Sequence, residues 1–468
     1  MVTQNDLYEL QYLATEFALK TSEHLFVTGK AGTGKTTFLH DIRKNTTKNT
    51  IVAAPTGVAA INAGGITLHS LFQLPFNAFL PTTQRVPAEF TNINTLFGNF
   101  KFGKAKLDLI KELELLIIDE VSMLRCDTLD AIDTILRTLR KNRNEPFGGV
   151  QLLLIGDLFQ LPPVVKEEEW ALLNDYYDTP FFFSAQVMKE SNFHNIEFSR
   201  IYRQSDKKFI RLLNKVRNNE MTEDDFDALN ERYQPEIVTE LEDFITLSTH
   251  NVKVDRINQQ QLQKLEGEAY EFKAFIEGDF YENSYPTEAN LVFKAGAQVM
   301  FIRNDSSAEK RFYNGKLATI KKVTNNEITV VFFEDGNEFV VEKEKWENIK
   351  YNYNAGTDKI EEEVIGSFLQ YPLRLAWAIT IHKSQGLTFE KAVIDAGWAF
   401  AAGQVYVALS RCTTINGLYL STPITASAIR SDQRIVDFTA NYLSSEDNLR
   451  QQLPFCKMEY AKVQLVKA

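Results

Sequence analysis

The run Gly29-Lys30-Ala31-Gly32-Thr33-Gly34-Lys35-Thr36 decides the fold. It follows the apolar stretch Leu25-Phe26-Val27 and precedes Thr37-Phe38-Leu39, flanks that read as a buried strand and a helix. Glycine reaches backbone angles that other residues resist, so such a loop can wrap a phosphate chain and turn its amide N–H groups inward. In this G-x4-G-K-T pattern Lys35 supplies a cation to the β- and γ-phosphates, and the Thr36 hydroxyl is a magnesium ligand. A helix starting at Lys35 adds the positive end of its dipole. A plain surface turn is the competing reading, and it leaves the strand and helix flanks unexplained.

The 468 residues can build two to four domains with cores of their own, and 44% hydrophobic with 24% charged residues is ordinary for a globular chain. No apolar run approaches the ~18 residues of a membrane span, and the start shows no basic region followed by an apolar one. The expectation is a cytoplasmic protein with no membrane partner. Cys126, Cys412 and Cys456 lie too far apart for a disulfide framework or a C-x-x-C zinc site. The net charge of −11 predicts weak, salt-sensitive non-specific binding to any nucleic acid, through a local basic groove.

Residues 5–20 carry a helical stripe that includes Leu10, Leu13, Phe17 and Ala18. Gln11 on it is either an exposed amide or a reader of an adenine edge, donating and accepting at once. A buried strand at 51–54 leads into Pro55-Thr56-Gly57, where a helix start and a hydroxyl suit a nucleic-acid phosphate or form an ordinary turn. Between 73 and 106 the pattern dissolves into a segment with Phe76, Phe79, Phe90, Phe97, Phe100 and Phe102. These either stack on bases and wedge a duplex or form a satellite cluster.

The strand at 113–118 ends in Asp119-Glu120, two carboxylates where α/β sheets place their chemistry. Asp119 can hold magnesium through water, and Glu120 can orient and deprotonate an attacking water. An amphipathic helix follows at 127–140, with Asp127 able to cap it. The next strand, 151–155, runs into Gly156-Asp157-Leu158-Phe159-Gln160-Leu161-Pro162-Pro163. Gln160 there either senses a γ-phosphate or scaffolds its loop, and the proline-stiffened stretch after it can lie against a base.

A second α/β unit is expected from the strand at 193–198, Arg200 and Arg203 in a polar turn, a helix at 207–217 and a strand at 244–248. From 301 to 365 the hydrophobic period becomes two, punctuated by Asn314-Gly315, Asn325-Asn326 and Asp335-Gly336, the mark of a small inserted antiparallel barrel or sheet. The α/β pattern returns at Thr380-Ile381-His382-Lys383-Ser384-Gln385-Gly386 and closes on Gln404-Val405-Tyr406-Val407-Ala408-Leu409-Ser410-Arg411. Arg200 and Arg203 could simply be solvated, while Arg203 and Arg411 are the candidates to reach a γ-phosphate from the facing unit, which would make nucleotide binding close a cleft.

In order, Gln11, residues 29–36, 54–62, 117–122, 156–163, 201–204, 380–386 and 407–411 resemble the superfamily 1 helicase set, over nearly the whole chain. Asp119-Glu120-Val121-Ser122-Met123-Leu124, the helix after it, Pro146-Phe147-Gly148-Gly149-Val150-Gln151-Leu152 and residues 156–164 more specifically resemble the petite-integration-frequency (Pif) family of DNA helicases, in a compact bacterial form. The resemblance implies two RecA-like P-loop domains with parallel sheets, at 1–72 with 107–178 and at 179–300 with 366–430. It implies a wedge-type subdomain at 73–106, a Src-homology-three-like barrel at 301–365 and a helical tail at 431–468.

It further implies ATP- and magnesium-driven 5′-to-3′ movement on single-stranded DNA, acting at junctions with duplex and on G-quadruplex DNA, by a monomer. Repair, recombination and telomere maintenance are the processes that such a family implies. Carried over by position, Gln11, residues 29–37 and Gln385-Gly386 would hold nucleotide, and Thr36 and Asp119 the metal. Lys35, Glu120, Gln160, Arg203 and Arg411 would be catalytic. Pro55, Thr56, His69, Phe159, Pro162, Thr380, His382 and Lys383 would lie along DNA. The competing classes are a P-loop ATPase that remodels proteins and a motor subunit of a nuclease assembly.

Overall fold

The computed structural model describes residues 4–98, 102–235, 244–305, 307, 309–397, 399 and 401–467, so Phe100 lies outside the described residues. Six parallel strands run in the spatial order Ile66–Thr67, Thr50–Ala54, Leu115–Ile118, Gln151–Gly156, His24–Gly29 and Phe193–Phe198. The two central strands are shielded at every position, which is why their sequences are unbroken apolar runs and not alternations. Helices Gln4–Lys20 and Lys35–Asn45 cover one face through Leu13, Phe17, Phe38 and Leu39. A second core on the other face runs on without interruption into the second sheet.

The strand Phe193–Phe198 was assigned above to the second unit, and the structure corrects this. It pairs in parallel with His24–Gly29 in the register Leu25↔His194 and Val27↔Ile196, so the first unit extends past 178 to Phe198. Burial explains the choice, because Ile196 and Phe198 belong to the same core as Leu25 and Val27, with the Phe198 ring edge-on to Phe38 at 5.3 Å. The second sheet is also parallel, in the order Ala378–Thr380, Ile245–Ser248, Ala392–Asp395 and Leu418–Leu420.

Within 73–106 a two-residue parallel pair joins Phe79–Leu80 to Thr91–Asn92. Phe79 is buried and Phe90, Phe97 and Phe102 pack partly buried against the main core, whereas Phe76 is 85% exposed. Asp127 does not cap the helix Cys126–Leu139. Its carboxylate accepts from the Phe79 N–H at 2.9 Å and pairs with Arg125, tying the segment down.

The antiparallel structure spreads beyond 301–365 on both sides. A five-stranded sheet orders Glu338–Val341, Ile328–Phe332, Leu317–Val323, Gln298–Phe301 and Leu373–Leu375. Two long strands, Glu344–Asn354 and Lys359–Gln370, form a separate hairpin with Phe275–Gly278 at its edge. The hairpin tip returns to the first unit, where Lys359 Nζ donates to the Thr47 carbonyl at 2.7 Å and the Ile360 N–H to Asn49 Oδ1 at 3.0 Å. Arg43 and Glu362 pair beside them at 2.5 Å.

The last helices, Gln433–Tyr442 and Glu446–Lys467, also come back to the first unit. Asn195 accepts from the Ser444 N–H at 2.9 Å and donates to the Tyr442 carbonyl at 2.7 Å, after which Leu449 and Leu453 enter the core beneath helix Gln4–Lys20. Among the described residues no helix is long and apolar enough to cross a membrane.

One guanidinium closes the end of this first unit opposite the phosphate loop. Arg140 donates to the carbonyls of Gly148, Ile110 and Leu113 at 2.8, 2.8 and 2.9 Å and to Lys111 at 2.5 Å. Arg140→Met therefore destabilises the fold by about 2–3 kcal/mol, the loss of charge-assisted bonds to carbonyls of which those of Gly148, Ile110 and Leu113 are partly shielded. Urea denaturation measures this, and an unchanged midpoint would show that water replaces the guanidinium without loss.

Candidate active site

The strand His24–Gly29 ends in the phosphate-type loop, and the helix Lys35–Asn45 starts from Gly34 in left-handed geometry with no side-chain cap. Its first-turn N–H groups are thus left for a ligand. Gly32 has φ 79°, and a Cβ there would stand 2.4 Å from Arg203 Cβ, so no other residue fits. The neighbouring Tyr202 N–H donates to the Gly32 carbonyl at 2.8 Å. Lys35 Nζ sits within the loop, donating to the Gly29 and Lys30 carbonyls at 2.6 and 3.1 Å.

The loop opens into a cavity of about 810 Å³ whose wall includes Gln11, Lys35, Thr36, Thr37, Asp119, Glu120, Gln160, Arg203, Gly386 and Arg411. Residues from 11 to 411 are thus brought to one place. Asp119 and Glu120 follow the buried strand Leu115–Ile118, and the Glu120 N–H donates to Asp119 Oδ1 at 2.9 Å. Glu120 holds φ 51° and ψ 44°, a left-handed conformation that a glutamate keeps only where its surroundings enforce it. Burial, with Asp119 next to it, pushes the Glu120 carboxyl up to about 7, and burial raises Asp119 as well. The oxygen donors of Thr36 and Asp119 are the hard ligands that a magnesium-type cation takes.

Across the cavity Gln385 Nε2 donates to Glu120 Oε2 at 2.8 Å and to Gln160 Oε1 at 3.3 Å, and Gln160 in turn donates to Asp157. Arg411 is buried and bonded to the Val407, Ser384 and Leu387 carbonyls and to the Ser410 hydroxyl. Burial, with Arg203 beside it, lowers Arg411 to about 9. Arg203, expected on the second unit, instead extends from the segment bonded to the phosphate loop. It reaches across to the Ser410 and Gly386 carbonyls at 3.5 and 3.4 Å. Among the described residues neither guanidinium has a carboxylate in hydrogen-bonding contact.

Four neighbouring side chains escaped the sequence reading. Tyr406, on the second unit's helix Gln404–Leu409, accepts the Ala31 N–H of the phosphate loop on its hydroxyl oxygen at 3.1 Å. Arg217 pairs with the buried Asp157 at 3.3 Å and with Glu197 at 3.5 Å. A tyrosine five residues before Arg411 and an aspartate three before Gln160 were visible, but nothing local marks a partner 375 positions away.

The residues expected along DNA fall at carboxyl ends of strands. Pro55 and Thr56 follow Thr50–Ala54, and Thr56 Oγ1 accepts the Ala59 N–H as a helix cap. His69 stacks on the exposed Phe76 ring at 5.4 Å. Thr380 ends a strand of the second sheet and is buried, while His382 and Lys383 beyond it are exposed. Phe159 differs from expectation: it is 8% exposed, with the Arg217 guanidinium over its ring at 4.0 Å, so it floors the Gln160 loop and offers no open stacking face. Pro162 is partly exposed beside it.

A family model described as PIF1-like helicase matches residues 3–226. The chain is 31% identical over 463 residues to an ATP-dependent DNA helicase Pif1 of Campylobacter jejuni, covering 92% of this chain and 97% of the relative. It spans between 64% and 66% of several longer curated relatives. A crystal structure of Bacteroides Pif1 in complex with ADP-AlF4 superposes with a TM-score of 0.84 at 42% identity, covering 94% of this chain and 97% of that one. Bacteroides Pif1 bound to single-stranded DNA superposes with a TM-score of 0.65 at 42% identity and the same coverage.

Two outcomes follow from this geometry. With its carboxyl pushed up to about 7, Glu120 acting as the base for the attacking water would be protonated and idle below that pH, so kcat/KM for ATP hydrolysis would rise with pH up to that point and level above it. A pH series on wild type and Glu120→Gln checks this, and a flat wild-type profile across neutrality would remove Glu120 from the role. Tyr406→Phe leaves the Ala31 N–H unpaired in the closed arrangement only, about 1–3 kcal/mol, so with catalysis requiring closure and the free enzyme able to open, kcat/KM falls by up to roughly 5- to 150-fold. Steady-state ATPase kinetics at unchanged melting temperature test it, and wild-type kinetics would place this contact outside the cycle.

Proposed function

The chain belongs to the PIF1-like helicase family and is an ATP-hydrolysing DNA helicase, and from that premise we propose that it moves 5′ to 3′ along single-stranded DNA and opens duplex ahead of it. The observation that carries the ATP-driven part of this reading is the pair of cations, Arg203 and Arg411, that share one cavity with the phosphate loop and, among the described residues, have no carboxylate in hydrogen-bonding contact; the direction rests on the family. Shielded positive charge of this kind is stabilised by an anion delivered to it, and the phosphate chain of ATP is that anion.

Each residue then has a task. Gln11 reads the adenine edge, while residues 29–37 cradle the phosphates with Lys35 at the β- and γ-positions. Thr36 and Asp119 hold magnesium, and when bound this ion neutralises phosphate charge. Glu120 orients the attacking water and takes its proton. Arg203 and Arg411 stabilise the charge that develops in transfer, a contribution of roughly 10³ to 10⁵ in rate for such arginines. Gln160, with Gln385 and Gly386 facing it, registers whether the γ-phosphate is present, because their contacts span the two units.

Pro55, Thr56, His69, Pro162, Thr380, His382 and Lys383 carry the DNA strand over the carboxyl ends of both sheets. Phe159 supports that track from below. The stacked His69 and Phe76 make the 73–106 segment the wedge at a junction between single-stranded and duplex DNA. The antiparallel elements around 301–365 take the place of a Src-homology-three-like barrel. Acting as a monomer in the cytoplasm, the protein engages forks, and G-quadruplex DNA is a further substrate of the same wedge.

The test is a forked duplex bearing only a 5′ tail or only a 3′ tail, with ATP and magnesium. Unwinding of the first and not the second is expected, together with an ATPase rate that climbs steeply on adding single-stranded DNA. Unwinding that requires the 3′ tail would reverse the proposed direction, and an ATPase indifferent to DNA would sink the motor reading.

A further inference from the structure

A second constellation lies far from the nucleotide. Glu23 ends the turn after helix Gln4–Lys20, His194 stands on the strand Phe193–Phe198, and Cys456 projects from the helix Glu446–Lys467. One ligand atom from each, a carboxylate oxygen, an imidazole nitrogen and a sulfur, lie within 4.8 Å of one another. Among the described residues no other group of three such side chains comes together. Glu23 precedes a six-residue strand whose other end is the phosphate loop, so about 20 Å separates the two places.

Local packing has already chosen the geometry. Parallel register sets Leu25 opposite His194, and the Phe17 ring lies 4.5 Å from the imidazole, which holds His194 toward the helical layer. His194 Nε2 is shielded from solvent with no hydrogen-bond partner, its nearest carboxylate oxygen being Glu23 Oε2 at 3.7 Å. A shielded imidazole nitrogen left unbonded is uncommon and points to a ligand. On the third side, buried Leu453 and the Lys457–Glu16 ion pair clamp the helix one turn before and one residue after Cys456.

We infer that Glu23, His194 and Cys456 form a site for a zinc-type transition-metal ion that fastens the C-terminal helix to the first unit. One nitrogen, one sulfur and one oxygen donor suit zinc, with water in the fourth position, whereas magnesium and calcium take oxygen alone. Zinc bond lengths of about 2.0–2.3 Å with tetrahedral angles place donor atoms roughly 3.3–3.8 Å apart. Side-chain rotations that draw the present group in by about 1 Å achieve this. As the metal–sulfur bond forms, the Cys456 thiol gives its proton to solvent and His194 binds through the neutral Nε2 lone pair.

The full-length protein, stripped with a chelator and titrated with cobalt(II), tests this inference. One equivalent is expected to produce a thiolate-to-cobalt charge-transfer band that zinc abolishes and excess magnesium leaves alone. Cys456→Ser removes the band, and His194→Gln weakens zinc binding by more than the roughly 10–100-fold that loss of a mere supporting group causes. Zinc also raises the melting temperature of the wild type and not that of Cys456→Ser, as linkage requires. Should a serine variant fold poorly, Glu23→Gln leaves the thiol in place and must still weaken zinc. No band in the wild type, or the same band in Cys456→Ser, would overturn the site.

Discussion

Arg411 is a cation enclosed by carbonyl oxygens, its pKa lowered by burial and by Arg203 beside it, with no negative partner in hydrogen-bonding contact among the described residues. A charge in that position raises the energy of the closed arrangement unless an anion arrives. The rest of the molecule is arranged around this requirement. The phosphate loop lies on one wall of the cavity and the buried carboxylates of Asp119 and Glu120 beside it, while the second sheet supplies the guanidinium. Gln385 and Tyr406 add neutral bonds across the same gap, so closure is sensed by dipoles as well as by charge.

Much of this was legible in the chain because it is encoded over short distances. The phosphate loop, the Asp119-Glu120 strand end and the buried runs at 51–54 and 151–155 are local patterns, each fixed by a strand or helix period and a turn. What escaped depends on pairing between distant segments. The strand Phe193–Phe198 looks alike in either sheet, and only the fit of Ile196 and Phe198 beneath helix Lys35–Asn45 sends it to the first. Arg203 moved with it, from the far wall of the cavity to the near one.

Phe159 shows a second limit. The family resemblance places Phe159 along DNA, yet a guanidinium from Arg217, almost sixty residues away, covers the ring and makes it part of the floor. Phe76 is the converse case, one exposed ring among neighbours that joined the core, and no property of its own sequence window separates it from Phe79. The antiparallel insertion was recognisable by its period of two, but not its extent, since the hairpin of Glu344–Asn354 and Lys359–Gln370 is stabilised by contacts to Thr47 and Asn49 outside it.

The chain leaves the first sheet after Phe198, touches its phosphate loop once more at Tyr202, and comes back at Tyr442 and Ser444, which bond to Asn195 on that same strand. Both crossings therefore share one edge of the molecule. Two points on a common line act like the pins of a door, but the hairpin tip bonded to Thr47 and Asn49 is a third attachment off that line and works as a latch. Any rotation about the Asn195 line when the anion comes and goes therefore loads the contacts of Lys359, Ile360 and Glu362, so the latch and not the pins sets how far the cavity opens.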